Sequence, residues 1–197
     1  LFTDEFRRLT GMLILASGSP RRRELLEQIG AAYEVKVGTY AEDVPKNDDP
    51  EKFVIRQAAG KAASIAEKYT GRWVLGADTV VVSDGKILGK PRSDEEAMSM
   101  LHRLSGKTHA VYTGIALQKD DGVWTHAEKT LVTFRDLTED EIEAYVETGE
   151  PSDKAGAYGI QGRGAILVEK IEGDYTNVVG LPLSALYVLA GIAGMCL

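Results

Sequence analysis

Apolar runs of strand length alternate along the chain with segments whose apolar residues recur at the three- or four-residue spacing of a helix. Turn and capping signals separate them: Asp84-Gly85 favours a hairpin, and Ser93 and Thr138 each precede a glutamate by three residues, as in a capping box. Ser19 and Pro20 favour the start of the first helix. The predicted strands cover 12–16, 33–37, 73–82, 86–88, 109–118, 123–135 and 165–171, and the predicted helices cover 21–29, 50–70, 94–104, 139–148 and 182–190.

This alternation predicts an α/β protein with a mixed sheet flanked by helices. Strand–helix–strand connections in the first part imply parallel neighbours, whereas the hairpin turn and the short link at 120–122 imply antiparallel ones. The glycine-rich stretches 156–164 and 173–180 are interpreted as loops of a functional site. We predict one domain over 12–197, with room for two lobes, preceded by an extension over 1–11.

The net charge of −7 argues against a protein held on nucleic acid or on an anionic membrane by bulk electrostatics, because both partners would repel it. An anionic ligand would therefore need a local cluster of cations. Cys196 is the single cysteine, so we expect neither an intrachain disulfide nor a catalytic thiol. No apolar run approaches the ~20 residues of a membrane-spanning helix. These features predict a protein of the reducing cytoplasm with no nucleic-acid or membrane partner.

The segment Ser17-Gly18-Ser19-Pro20-Arg21-Arg22 carries small residues from a strand into the first turn of a helix. Free backbone N–H groups and the positive end of the helix dipole favour a phosphate at such a place. Arginines in a first turn act against the dipole, so helix stability alone does not explain them. An ordinary capped helix with exposed arginines is the alternative. The spacing is that of neither a Walker A loop nor a GxGxxG loop.

Asp78 interrupts the otherwise apolar strand 73–82. A carboxylate in that position needs a cationic partner, a metal ion or a shifted pKa; a strand-end aspartate satisfied by backbone amides is the simpler alternative. Hard oxygen ligands such as Asp78 and Glu42 can hold Mg²⁺ while substrate phosphates complete its coordination shell. Glu42 lies in the polar loop 38–49, where a solvated surface residue is the competing interpretation.

Three lysines on separate segments offer further positive charge: Lys61, Lys90 and Lys154. Each alone is better explained as a surface side chain whose stem packs on apolar neighbours. Gln161 follows a glycine-spaced loop, and a primary amide can both donate to and accept from the edge of uracil or thymine. The histidines show no paired metal-ligand spacing and are interpreted as surface or strand residues: His102, His109 and His126.

These motifs, in this order, resemble the successive signatures of the Maf family of nucleotide pyrophosphatases. Several motifs in order over most of a chain are far more specific than any one of them. The resemblance extends from Met12 to about Leu189. It is carried by Ala16-Ser17-Gly18-Ser19-Pro20-Arg21-Arg22 with Glu24-Leu25-Leu26, Gly76-Ala77-Asp78-Thr79, Gly89-Lys90-Pro91, Leu104-Ser105-Gly106, Asp153 to Gly162, and Asn177 to Pro182.

The resemblance implies a fold similar to that of inosine triphosphatases, with an elongated central sheet and a nucleotide cleft between two lobes. It also implies hydrolysis of a nucleoside triphosphate to monophosphate and pyrophosphate with a divalent cation, Mg²⁺ or Mn²⁺. By motif, Asp78 would be the proton acceptor and, with Glu42, a metal ligand. Glu42 matches the family pattern most loosely, and Asp43 is the alternative acid. The positions that sort substrates would be Arg21, Thr79 and Gln161. The other phosphate- or nucleotide-binding positions would be Ser17, Arg22, Lys61 and Lys90.

Three places in the motifs favour the type that acts on dTTP and UTP: Gly18-Ser19-Pro20, Ala77-Asp78-Thr79 and Gln161. Members similar to 7-methyl-GTP pyrophosphatases carry Thr-Ser-Pro, Ser-Asp-Gln and an acid there instead. The resemblance leaves three alternatives open: the 7-methyl-GTP type, the clearance of modified nucleotides, and a nucleotide-binding regulator of septum formation and cell division. It also leaves a homodimer open.

Overall fold

The computed structural model describes residues 12–45, 49–195 and 197 of the 197-residue chain. The predicted extension over 1–11 and Cys196 lie outside these residues. The strands are β1 (Leu13–Leu15), β2 (Tyr33–Val35), β3 (Val74–Ser83), β4 (Lys86–Leu88), β5 (Thr108–Lys119), β6 (Gly122–Phe134) and β7 (Val168–Glu172). The α-helices are α1 (Pro20–Gln28), α2 (Pro50–Ala66), α3 (Asp94–Leu104), α4 (Glu139–Glu147), α5 (Tyr175–Val179) and α6 (Leu183–Ala193).

The described strands form one mixed sheet in the order β2-β1-β3-β5-β6-β7, with β4 paired to β3. Strand β1 pairs in parallel with β2 and with β3. The β3–β4 and β6–β7 pairs are antiparallel. The predicted α/β class with a mixed, helix-flanked sheet is therefore confirmed. Within the described residues, no helix is long and apolar enough to cross a membrane.

Several local predictions were wrong in detail. Ser19 occupies the N-cap position of α1, but its side chain makes no capping hydrogen bond. At α3, Ser93 caps the amide of Glu96, whereas the Glu96 carboxylate accepts from the amide of Arg92 instead of closing the box. Of the two predicted boxes, the one at Thr138, the N-cap residue of α4, forms reciprocally.

The two glycine-rich stretches also contain more structure than predicted. Helix α5 forms within 173–180, which was interpreted as a loop, and short 3-10 helices span Ala155–Ala157 and Gly162–Leu167. The second of these replaces the start of the strand predicted over 165–171. Isolated 3-10 turns have no marked apolar periodicity, so the spacing of apolar residues could not reveal them.

The described residues divide into two compact units, the first of which comprises 12–45, 49–78, 113–128, 180–195 and 197. In this unit the backbone of α2 packs closely against two strands. At Gly76 an added Cβ would overlap the carbonyl oxygen of Ala58 and come within 2.8 Å of the amide nitrogen of Ala62. At Gly114 it would overlap the backbone of Val54. These two glycines therefore set the distance between α2 and the strands.

The second unit comprises 79–112 and 129–179. Helices α3 and α4 supply its apolar core together with inward-facing residues of the strands. Leu101, Leu104, Phe134 and Ile142 are each at most 1% exposed there. The core also contains the polar side chain of His109, which is 2% exposed.

Candidate active site

Two carboxylates of the first unit contact the same lysine ammonium. The Lys61 Nζ atom lies 2.6 Å from Asp78 Oδ1 and 2.7 Å from Glu42 Oε1. Lys61 reaches this position from α2, and Asp78 comes from β3, whose distance from α2 is set by Gly76. The Asp78 and Lys61 side chains are 12% and 14% exposed, while that of Glu42 is 52% exposed. The pair is therefore mostly withdrawn from water, with Glu42 on its open side.

Burial dominates the acidity of Asp78. Loss of solvation raises its pKa above the ordinary value, although the Lys61 ammonium and, more weakly, Arg22 oppose this shift. A carboxylate with a raised pKa binds a proton more strongly than an ordinary aspartate does. Such groups, when they have a specific charged partner, are candidates for acid–base chemistry.

The start of α1 contributes fixed positive charge. Ser17 Oγ accepts from an Arg22 guanidinium nitrogen at 2.9 Å and from the amide of Ser19 at 3.3 Å. Arg22 Nε donates to the carbonyl oxygen of Gly180 at 2.8 Å. Burial lowers the pKa of Arg22, and Asp78 opposes this; a guanidinium stays charged nevertheless. Arg21 and Arg22 lie in the first turn of α1, and that turn itself contains no acidic residue.

The structure distinguishes the two candidate acids of the loop. Asp43 Oδ2 accepts from Gln57 Nε2 at 2.8 Å and from Arg56 Nε at 3.1 Å, whereas Glu42 contacts Lys61. These contacts favour Glu42 over Asp43 as the partner of Asp78. Asp43 instead fastens the loop to α2.

Sequence reasoning missed the residues that hold this loop. Gln57 is 1% exposed, and its Oε1 accepts from the amide of Asp43 at 3.0 Å. The Tyr40 ring packs against Gly60, where an added Cβ would overlap it. Burial and then the nearby Asp43 raise the pKa of Tyr40. The available signal was Gln57 itself, a polar residue on the buried face of α2.

The donor set fits a divalent ion of the magnesium type. Mg²⁺ is usually bound by one or two carboxylates together with substrate phosphates and water rather than by an all-protein cage. Glu42 and Asp78 provide two hard oxygen donors that already share one cation, Lys61. No group of three or more potential ligands occurs among the described histidine, cysteine, aspartate and glutamate residues.

The structure thus brings together Ser17, Arg22, Glu42, Lys61 and Asp78 in the first unit, with Arg21 adjacent in α1. The remaining predicted residues belong to the second unit. Thr79 is half-buried on β3 directly after Asp78, and Lys90 is exposed in the segment after β4. Gln161 is half-buried at the start of the 3-10 helix Gly162–Leu167.

Comparison with known proteins identifies related sequences. The profile of the family described as Maf-like protein matches residues 12–191. A dTTP/UTP pyrophosphatase of Bacillus cereus (strain AH820) is 52% identical over 174 residues, which cover 88% of this chain and 91% of that protein. A dTTP/UTP pyrophosphatase of Bacillus cytotoxicus is 53% identical over 173 residues, with 88% and 91% covered.

Comparison of folds identifies more distant solved structures. A HAM1 protein from Coxiella burnetii matches with a TM-score of 0.50 and 16% sequence identity, over 93% of this chain and 98% of that one. At this identity the likeness concerns the fold alone.

Proposed function

The chain belongs to the Maf family, and from this premise we propose that it is a nucleoside triphosphate pyrophosphatase that hydrolyses dTTP and UTP to the nucleoside monophosphate and pyrophosphate. The observation that carries the proposal is the buried Asp78 carboxylate, which faces Lys61 in the same unit as the arginines of α1. The relatives named dTTP/UTP pyrophosphatase, about half identical over most of both chains, support pyrimidine substrates.

The reaction needs a base for water. The oxygen of a water molecule attacks the α-phosphorus, and the bond from that phosphorus to the oxygen bridging to the β-phosphate breaks, so that pyrophosphate leaves. Asp78 accepts the proton of the water. An ordinary aspartate, with a pKa of about 3.9, is a weak base for this purpose. Burial raises the pKa of Asp78, which brings its basicity closer to what proton transfer near neutral pH requires.

The first unit also contains positive groups that can stabilise the negative charge of the triphosphate. Lys61, Arg22 and the amide groups at the start of α1 can offset the charge that develops on the departing pyrophosphate. Glu42 and Asp78 would hold a divalent ion, Mg²⁺ or Mn²⁺. Such an ion makes bound water more acidic and offsets phosphate charge.

Recognition of the base is assigned by motif to the substrate-sorting positions Arg21, Thr79 and Gln161. The Gln161 amide can donate to a carbonyl of uracil or thymine and accept from the ring N–H, which a carboxylate cannot do. The single cysteine is compatible with action in the reducing cytoplasm, which we include in the proposal.

The test is Asp78→Asn, with Asp121→Asn as the matched control because Asp121 is exposed in the turn between β5 and β6. We expect Asp78→Asn to lower kcat for dTTP by at least ~100-fold, in the range seen for loss of a general base, and Asp121→Asn to leave it unchanged. Monophosphate and pyrophosphate are identified as products, with and without chelator. Near wild-type pyrophosphate release by folded Asp78→Asn protein would contradict the role of Asp78.

A substrate panel separates the alternatives. Values of kcat/KM are compared for dTTP, UTP, CTP, GTP and 7-methyl-GTP. Preference for dTTP and UTP supports the proposal, whereas selective cleavage of GTP or 7-methyl-GTP contradicts the role given to Gln161. Tight nucleotide binding without turnover would instead indicate a regulator.

A further inference from the structure

In the second unit, a carboxylate outside the catalytic motifs holds the loop that carries Gln161. Glu150 Oε2 accepts from the amide of Arg163 at 3.0 Å, and Glu150 Oε1 accepts from the amide of Gly164 at 3.1 Å. The Tyr145 hydroxyl donates to Glu150 Oε1 at 2.9 Å and accepts from the amide of Gly159 at 3.1 Å. Tyr145 and Glu150, here called the Glu150 clamp, therefore fasten the backbone on both sides of Gln161.

The loop is built around the clamp. At Gly162 an added Cβ would lie 2.9 Å from Glu150 Oε2, and at Gly164 it would lie 2.6 Å from the Tyr145 hydroxyl oxygen. Gly162 also has a φ of 79°, a conformation that glycine adopts without strain. The glycines therefore let the two clamp side chains approach the backbone directly.

The clamp requires an ionised Glu150 carboxylate and a neutral Tyr145 hydroxyl, and the surroundings of the two groups favour these forms. Burial opposes ionisation of Glu150, but the amides of Arg163 and Gly164 and the Tyr145 hydroxyl together hold its pKa below the ordinary value. Burial raises the pKa of Tyr145, so that its hydroxyl stays a donor. An ionised carboxylate that accepts from backbone amides makes hydrogen bonds about twice as strong as neutral ones.

Side-chain hydrogen bonds do not fix the position of Gln161. Within the described part of the chain, its side-chain amide makes no hydrogen bond, and its neighbours form only a short 3-10 helix, which is weak alone. A side chain that reads a ligand edge must be held to within ~0.5 Å. The position of the amide thus depends on the backbone that the clamp fastens.

We infer that Tyr145 and Glu150 are positioning residues for pyrimidine discrimination: they hold the Gln161 loop in the conformation in which its amide distinguishes uracil and thymine from cytosine. This inference rests on the proposed function. It differs from the assignment of Gln161, because neither clamp residue needs to touch the substrate.

The experiment compares wild type with Glu150→Gln, Tyr145→Phe and the double variant. Glutamine turns one carboxylate oxygen into an NH₂ group, which then faces an N–H donor. Glu143→Gln is the control, because Glu143 is exposed on α4, the helix that carries Tyr145. Hydrogen–deuterium exchange is followed for peptides containing the amides of Gly159, Arg163 and Gly164, and kcat/KM is measured for UTP and CTP.

We expect both single variants to exchange these amides faster and to lower the UTP-to-CTP ratio of kcat/KM about tenfold, the order of loss caused by small misplacement of a recognition group. The double variant should lose little more than either single one, since both act through one loop. Glu143→Gln should change neither quantity.

Unchanged exchange in both single variants would overturn the clamp, and faster exchange with an unchanged ratio would overturn its part in discrimination. Wild-type protein that hydrolyses neither UTP nor dTTP would refute the proposed function and the inference with it. Failure of the proposed function can be distinguished from failure of the clamp, because it is seen in the wild-type protein without any substitution. If the Glu150→Gln variant does not fold, the Tyr145→Phe variant alone tests the clamp.

Discussion

The buried His109 makes stability depend on pH in a way that can be calculated. Its Nε2 atom lies 2.8 Å from the Tyr158 hydroxyl oxygen, and the Phe134 ring packs edge-on at 5.0 Å between ring centres. The Nδ1 atom has no hydrogen-bond partner among the described residues. Burial lowers the pKa of His109 from 6.5 to about 4, because a charged imidazole would lose its solvation there.

The sign follows from proton binding. Between pH 6.5 and about 4 the unfolded chain binds a proton at this residue that the native protein does not bind. The contribution to stability is therefore complete above pH 6.5 and is lost as the pH falls toward 4. For one group with these two pKa values, the free energy of unfolding falls by about 2 kcal/mol between pH 7 and pH 5.

The assay is urea unfolding at pH 7 and pH 5 for wild type, His109→Gln and His102→Gln. His102 is the control because its side chain is 46% exposed. Other groups titrate in all three proteins, so the difference between proteins isolates each histidine. The loss of stability on acidification should be about 2 kcal/mol smaller in His109→Gln than in the other two. An equal loss in all three would refute the reasoning, and would mean that the native protein accommodates a charged His109.

Two further predictions concern the first unit. Gly76→Ala should lower the free energy of unfolding by about 1–3 kcal/mol, because the added Cβ overlaps the backbone of α2. Gly191→Ala, in an open position of α6, should instead raise the free energy of unfolding by up to ~1 kcal/mol. Equal effects of the two substitutions in urea unfolding would contradict this reasoning. Lys61→Met should raise the pKa of Asp78 further and move the acid limb of the kcat/KM profile to higher pH, because Asp78 must be ionised to accept a proton. The exposed Lys68→Met should leave the profile in place, and an unmoved profile in Lys61→Met would exclude Asp78 as its origin.

Most of the sheet and its helices could be predicted from the sequence, because their signals are local. The strand around Asp78 and the helix after Ser93 each carry their own apolar period and turn residues. Asp78 also stood out from the sequence alone, since a carboxylate within an apolar strand is unusual wherever the strand lies.

The supporting residues could not be predicted, because their importance arises from contacts distant in sequence. Glu150 resembles any polar residue near a helix end until the amides of Arg163 and Gly164 are seen to donate to it. Gln57 is similar: its role depends on the loop that returns to α2 at Asp43. Spacing within one element carries no information about such partners.

Local anomalies in this chain are of two kinds, and only one of them points to chemistry. His109 and Asn177 are buried polar residues that each have one side-chain atom without a hydrogen-bond partner among the described residues, and they lie in the packed interior rather than beside the Asp78–Lys61 pair. Arg22 at a helix start and Asp78 within an apolar strand are each unfavourable by local rules, and their fields act on one another. Each of these two charges alone would destabilise its own helix or strand, but together they attract one another. Such a cluster of charges is expected at a site that binds a ligand. The site is therefore located in the first unit because several unusually placed charged residues lie close together there, and one such residue alone would not have located it.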